Sequence, residues 1–139
     1  MPLITRVYIK ASLLYLVAAL LAGILLAGSA AWGFPAWVGG LGPVYFHLFL
    51  VGWVTQLIFG VALWMFPKYS REKPRGSERA GWAIFALLNT GLLLRAVSEP
   101  AAGFRPGSGW GWALAVSAML QWAAGMLFVL NTWGRVKER

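Results

Sequence analysis

"YFHLFLVGWVTQLIFGVALWMFP" occupies residues 45–67 and contains the only histidine of the chain, His47. Apart from His47, Thr55 and Gln56 the stretch is apolar or glycine, and it ends on Pro67. Periodicity does not separate helix from strand in so uniformly apolar a run, but length does. A run this long meets the roughly 20 residues that an α-helix needs to cross a bilayer and exceeds a barrel strand. Three more runs of that kind occur. The expected spans are residues 8–31, 43–66, 80–98 and 109–133, in one transmembrane domain of 139 residues. The expected fold class is all-α, an integral membrane four-helix bundle.

Composition agrees. Hydrophobic residues make up 60%, charged residues 12%, and the mean hydropathy is +0.69. So few charges do not cover a soluble surface. The net charge of +8 lies mainly on Arg6 and Lys10, on "KYSREKPRGSER" (68–79) and on "RVKER" (135–139), all between or beyond the apolar runs. Charges so placed orient a chain in a bilayer, and they leave no basic face with aromatic platforms for a nucleic acid. Cysteine is absent, which excludes disulfides and thiolate sites.

The breaks between runs set the topology. "GFPAWVGGLGP" (33–43) carries no charge, whereas the 67–79 loop carries Lys68, Arg71, Lys73, Arg75 and Arg79. "EPAAGFRPGSG" (99–109) separates the third run from the fourth. The positive-inside rule then places both termini and the 67–79 loop in the cytoplasm of an inner (plasma) membrane, multi-pass. Trp32, Trp37, Trp110 and Trp112 fall near the outer interface, and Trp64, Trp82 and Trp133 near the inner one. "AGSAA" (27–31) resembles a signal-peptide cleavage site, but the preceding run is longer than a usual signal core, so it is read as a membrane helix.

Small residues suggest where helices meet. Ala19, Gly23 and Ala27 form one stripe, and Gly52 and Gly60 flank Gln56. Gln56, Asn89 and Gln121 lie at similar expected depths, which suits interhelical hydrogen bonds. At 100° per residue, Leu50, Val51, Val54, Ile58, Val61, Ala62 and Met65 share the face of His47, opposite Gly52, Gln56 and Gly60. An apolar wall with one nitrogen ligand suits a porphyrin; it equally suits lipid or a neighbouring helix. At the matching depth on the third run stands Arg95, an ionisable group that needs a partner. Glu99, one turn on, is one candidate. A propionate is another, with Arg105 a weaker contact for it.

"HLFLVGWVTQLIFGVALWMFP" (47–67) resembles the second transmembrane helix of the heme–copper oxidase subunit I and nitric oxide reductase large-subunit superfamily. The shared features are a histidine near the outer end, here His47, then Phe59–Gly60 and a terminal Pro67. "LLNTGLLLRAVSEP" (87–100) resembles the following helix of short relatives. The resemblance implies heme b as cofactor, His47 as axial ligand to the heme iron, and electron transfer or gas-ligand sensing as the function. It covers helices two and three, and helices one and four only in topology. The family's catalytic centre needs further histidines that this chain lacks, so heme–copper catalysis by the chain alone is not expected. Low-spin heme in the family takes two histidines. A homo-oligomer, a dimer sharing one heme between two copies of His47, supplies them; one heme per chain with an open sixth position is the alternative. Met119 sits too deep to ligate, and Met65 and Met126 are worse placed. A respiratory redox partner is implied on this reading. A heme-free accessory or assembly subunit of a respiratory complex is the rival, and a small transporter using Arg95 and Glu99 a weaker one. No carboxylate pair or nucleophile–histidine arrangement suggests a hydrolase.

Overall fold

A computed structural model describes residues 1–68 and 77–136. The described chain is helical, with four helices long and apolar enough to cross a membrane and no strand among the described residues. They are α1 (Leu3–Trp32), α2 (Ala36–Met65), α3 (Glu78–Phe104) and α4 (Trp110–Trp133). Most of the basic run, residues 69–76, and residues 137–139 lie outside the described residues.

The helix ends depart from expectation in two places. The 33–43 break is short: after the left-handed Gly33, residues Ala36–Leu41 form a 3₁₀ turn that runs into the α-helical Gly42–His47. Pro43 stands in the first turn, where a missing N–H costs nothing. α3 does not stop at residue 98 but carries Pro100 inside it and ends at Phe104. Proline removes one bond and crowds the turn before it, and here that turn lies near a helix end. Glu99 therefore sits on the helix rather than in a loop.

α2 contains the more consequential departure. Leu48–Thr55 is π-helical, and Gln56–Met65 returns to α. Gly52, Gln56 and Gly60 are spaced by fours, and on a pure α-helix that spacing drifts about 40° per step. Turns closed by i→i+5 bonds hold more residues each, so the same spacing drifts less. All three residues are buried. The same change divides the face assigned to His47. Val51 packs into the core and Ala62 is buried, whereas Leu50, Ile58 and Met65 are exposed. A single apolar wall below His47 is thus not present, because the expected face assumed 100° per residue throughout.

The glycines of α2 are notches for two tyrosines of α1. A Cβ on Gly52 would lie 2.8 Å from the Tyr15 Cβ and 2.9 Å from a Leu92 methyl; one on Gly60 would lie 2.6 Å from the Tyr8 Cβ. Both tyrosines then reach α3. The Tyr8 hydroxyl donates to the Gly81 carbonyl at 2.8 Å, and the Tyr15 hydroxyl donates to Asn89 Oδ1 at 2.8 Å. Asn89 Nδ2 in turn donates to Gln56 Oε1 at 2.9 Å. Helices α1, α2 and α3 are thereby tied at one level. Gln121, expected at that level, instead donates to Ser117 Oγ, whose hydroxyl donates to the Gly91 carbonyl and joins α4 to α3. Of the stripe on α1, Ala19 is buried and Gly23 meets the Tyr45 ring, but Ala27 is exposed.

α4 lies along α3, and its recorded contacts with α2 are near the Pro67 end. There Phe59 and Phe128 stack at 3.8 Å. Arg135, buried, donates through Nε to the Pro67 carbonyl at 3.0 Å and through Nη2 to those of Leu63 and Phe66 at 3.1 and 2.8 Å. The last carbonyls of a helix lack intrahelical donors and carry its negative end, so a guanidinium caps them well. Arg135 was expected to act as a topology charge; it is also the cap of α2. At the same end Ser77 accepts from Ala80 N and caps α3, and its own N–H donates to Asn131 of α4.

The notches generate a test. Gly52→Ala forces a methyl against Tyr15 and Leu92 and should destabilise the protein by about 1–3 kcal/mol, as overpacking does. Gly125→Ala, where a Cβ meets nothing within 4 Å, is the control. Equal melting temperatures in detergent for the two variants would disprove the notch.

Candidate functional site

His47 is placed by the α-helical turn Gly42–His47 of α2. Its Nδ1 lies 2.8 Å from the Pro43 carbonyl oxygen, four residues earlier, and 3.4 Å from Glu99 Oε1 on α3. A carbonyl oxygen only accepts, so Nδ1 carries the hydrogen. In the neutral ring the lone pair is then on Nε2. The side chain is 24% exposed, beside the exposed Phe46 and Leu50. On the inner side of this turn, Val44 and Leu48 pack with Ala19 and Leu92.

Arg95 is held by Glu99. Its Nε donates to Glu99 Oε1 at 2.7 Å across one helical turn, so the first of the two partners considered from the sequence is in place. The Glu99 side chain is only 9% exposed, and its Oε2 is buried with no hydrogen-bond partner. Glu99 is mostly buried, and a buried carboxylate without compensation is costly. The cation of Arg95 and the N–H of His47 offset that cost. Because α3 continues through Pro100, Glu99 is on helix and within reach of both.

The other expected site residue is elsewhere. Arg105 follows α3 and is exposed, and no recorded side-chain contact joins it to His47, Arg95 or Glu99. Met119 is 69% exposed on the outward side of α4, and Met65 and Met126 are exposed too. Among the described residues no three of His, Cys, Asp and Glu gather as a metal cage. What the sequence did not reveal was the role of the Pro43 carbonyl. The signal was there, since a residue four before a histidine on a helix presents its carbonyl to it.

The arrangement can hold one ligand at Nε2 of His47 while its Nδ1 is fixed by a carbonyl and faces a carboxylate. Histidines that bind metals almost always have their second nitrogen engaged in this way. The residues present therefore fit an axial role toward a heme iron, with Arg95 the nearby cation. Comparison with family models, with curated proteins and with solved structures returned no match.

The buried pair is testable without a ligand. Glu99→Gln leaves the partly buried Arg95 without its counterion and should cost about 1–3 kcal/mol, less than the loss expected for a fully buried pair because Arg95 meets solvent. The double variant Arg95→Leu, Glu99→Leu should recover most of that loss. A double-mutant cycle in detergent with no coupling between the two sites would remove the ion pair from the account.

Proposed function

We propose that the chain is a multi-pass membrane protein that binds heme b, with His47 Nε2 as axial ligand to the iron. The observation that carries this reading is the Nδ1 contact to the Pro43 carbonyl at 2.8 Å, which fixes the tautomer and leaves Nε2 to a metal. The resemblance of residues 47–67 to a heme-ligating membrane helix points the same way. Arg95 would face a propionate while it holds Glu99; Arg105 has no contact that favours it. A bound heme supplies one-electron or gas-ligand chemistry. The chain supplies one imidazole and a nearby cation, and on this reading serves electron transfer or gas-ligand sensing. A chain with one histidine offers one imidazole, so a second imidazole on the same iron comes from outside the chain, and a second copy supplies it.

A second reading is favoured by one observation. His47, Glu99 and Arg95 already engage one another. On that reading the three are a structural polar cluster at the outer interface of a heme-free accessory subunit.

Heme binding separates the two. Purified after expression with ample heme, the protein should show a Soret band, and His47→Ala should lose it while the chain still inserts. A colourless wild type under those conditions favours the accessory subunit; full heme occupancy in His47→Ala disproves the ligand assignment.

Orientation follows from charge: the uncharged 33–43 segment outside, the basic loop and both termini in the cytoplasm. The chain has no cysteine, so single cysteines report cleanly. Gly39→Cys should label from outside intact cells and Ser70→Cys only after permeabilisation. Labelling of both from the same side contradicts four spans.

A further inference from the structure

Five positions separate His47 from Gly52, and on an α-helix that is a rotation of about 140°. Gly52 marks the side of α2 that meets α3, since a Cβ on it would lie 2.9 Å from a Leu92 methyl. Leu92 and Glu99 are seven positions apart on α3, within about 20° of one another around its axis. A histidine about 140° from Gly52 would therefore point away from Glu99. Yet His47 Nδ1 lies 3.4 Å from Glu99 Oε1.

The π-helical stretch closes that angle. Leu48–Thr55 intervenes between His47 and the α-helical Gln56–Met65. A turn closed by i→i+5 bonds holds more residues than one closed by i→i+4 bonds. Residues five apart then stand nearly in line, as residues four apart do on an α-helix. Two bonds show the wide turn directly. The Gln56 N–H reaches the Val51 carbonyl, and the Thr55 hydroxyl donates to the Leu50 carbonyl at 2.8 Å, each five residues back. Val44 and Leu48, which bracket His47 in the sequence, pack in one cluster with Leu92. The Nδ1 contact with the Pro43 carbonyl lies wholly within the turn Gly42–His47, before the stretch begins. The tautomer is thus set locally, whereas what the ring meets is set by the register of the turns that follow.

We infer that the π-helical stretch is the positioning element of this site: by taking up one extra residue it turns His47 from the outward side of α2 onto Glu99 of α3. Leu50, 38% exposed, is an outward residue within that stretch whose removal empties no core position. The inference rests on the contact of His47 with Glu99 and not on heme.

The single histidine makes the test clean, because isotope-labelled histidine reports the ring nitrogens of His47 alone in solid-state NMR. In heme-free protein in liposomes, Glu99→Gln should shift the Nδ1 signal. Deletion of Leu50 leaves His47 four positions before Gly52, about 40° away on an α-helix. In that background Glu99→Gln should give the same shift, and the melting temperature should not fall below wild type. An alanine inserted between Leu50 and Val51 turns His47 by about 100° more. There Glu99→Gln should leave the Nδ1 signal in place, and a phospholipid spin-labelled near its headgroup should broaden away ring signals that survive in wild type. An unshifted signal in wild type overturns the proposal. So does a deletion variant that fails to fold or loses its response to Glu99→Gln, because the α-helix it leaves presents His47 and Gly52 as the wild type does. An insertion variant that keeps the wild-type response overturns it too; if that variant does not fold, the deletion variant alone decides.

Discussion

Two tyrosines of α1 lying across two glycines of α2 hold the first three helices in register. Tyr15 crosses Gly52 and ends on Asn89; Tyr8 crosses Gly60 and ends on the Gly81 carbonyl. Each tyrosine needs both halves of the device. Without the notch the ring cannot pass, and without the acceptor the hydroxyl is a buried orphan, which costs about 1–3 kcal/mol. The amide of Asn89 links this device to Gln56, so one polar level joins three helices inside an apolar protein. Where lipid replaces water, the hydrophobic effect does not drive helices together, and close packing with a few hydrogen bonds must do so.

The same constraint explains the helix ends. Pro67 stops α2 and leaves its carbonyls facing the region where α4 ends. Arg135 is drawn from the far end of the sequence to cap them, with its carbon near the Phe66 ring at 5.8 Å. Ser77 and Asn131 close the adjoining end of α3 against α4. These long-range caps fix the Pro67 end firmly, through side chains separated by more than fifty positions.

At the opposite end the fixing is done by charge. Glu99 is mostly buried on α3, so it needs Arg95 and turns toward the His47 N–H. That turns His47 from an isolated imidazole into an oriented one. Its Nδ1 is committed to the Pro43 carbonyl, and the ring's remaining nitrogen is left without a partner among the described residues. Histidines that bind metals usually carry an orientation of this kind.

By itself the sequence determined the four apolar helices, from run length and the loops between them. It also determined the face formed by Gly52, Gln56 and Gly60, and it offered Glu99 as one partner for Arg95, because these depend on neighbours one or two turns away. Only the tertiary structure decided the rest. The π-helical turns of α2 re-phased its faces, split the wall expected below His47, and aligned the glycines under two tyrosines that carry no such signal in their own segment. Pro100 stayed inside α3 and kept Glu99 on the helix. Arg135 became a cap for carbonyls some seventy positions away. Local pattern fixes what a helix of ideal period would present. Which turns open to i→i+5 bonds, and which distant donor meets an orphan carbonyl, depends on partners that only the folded chain brings together.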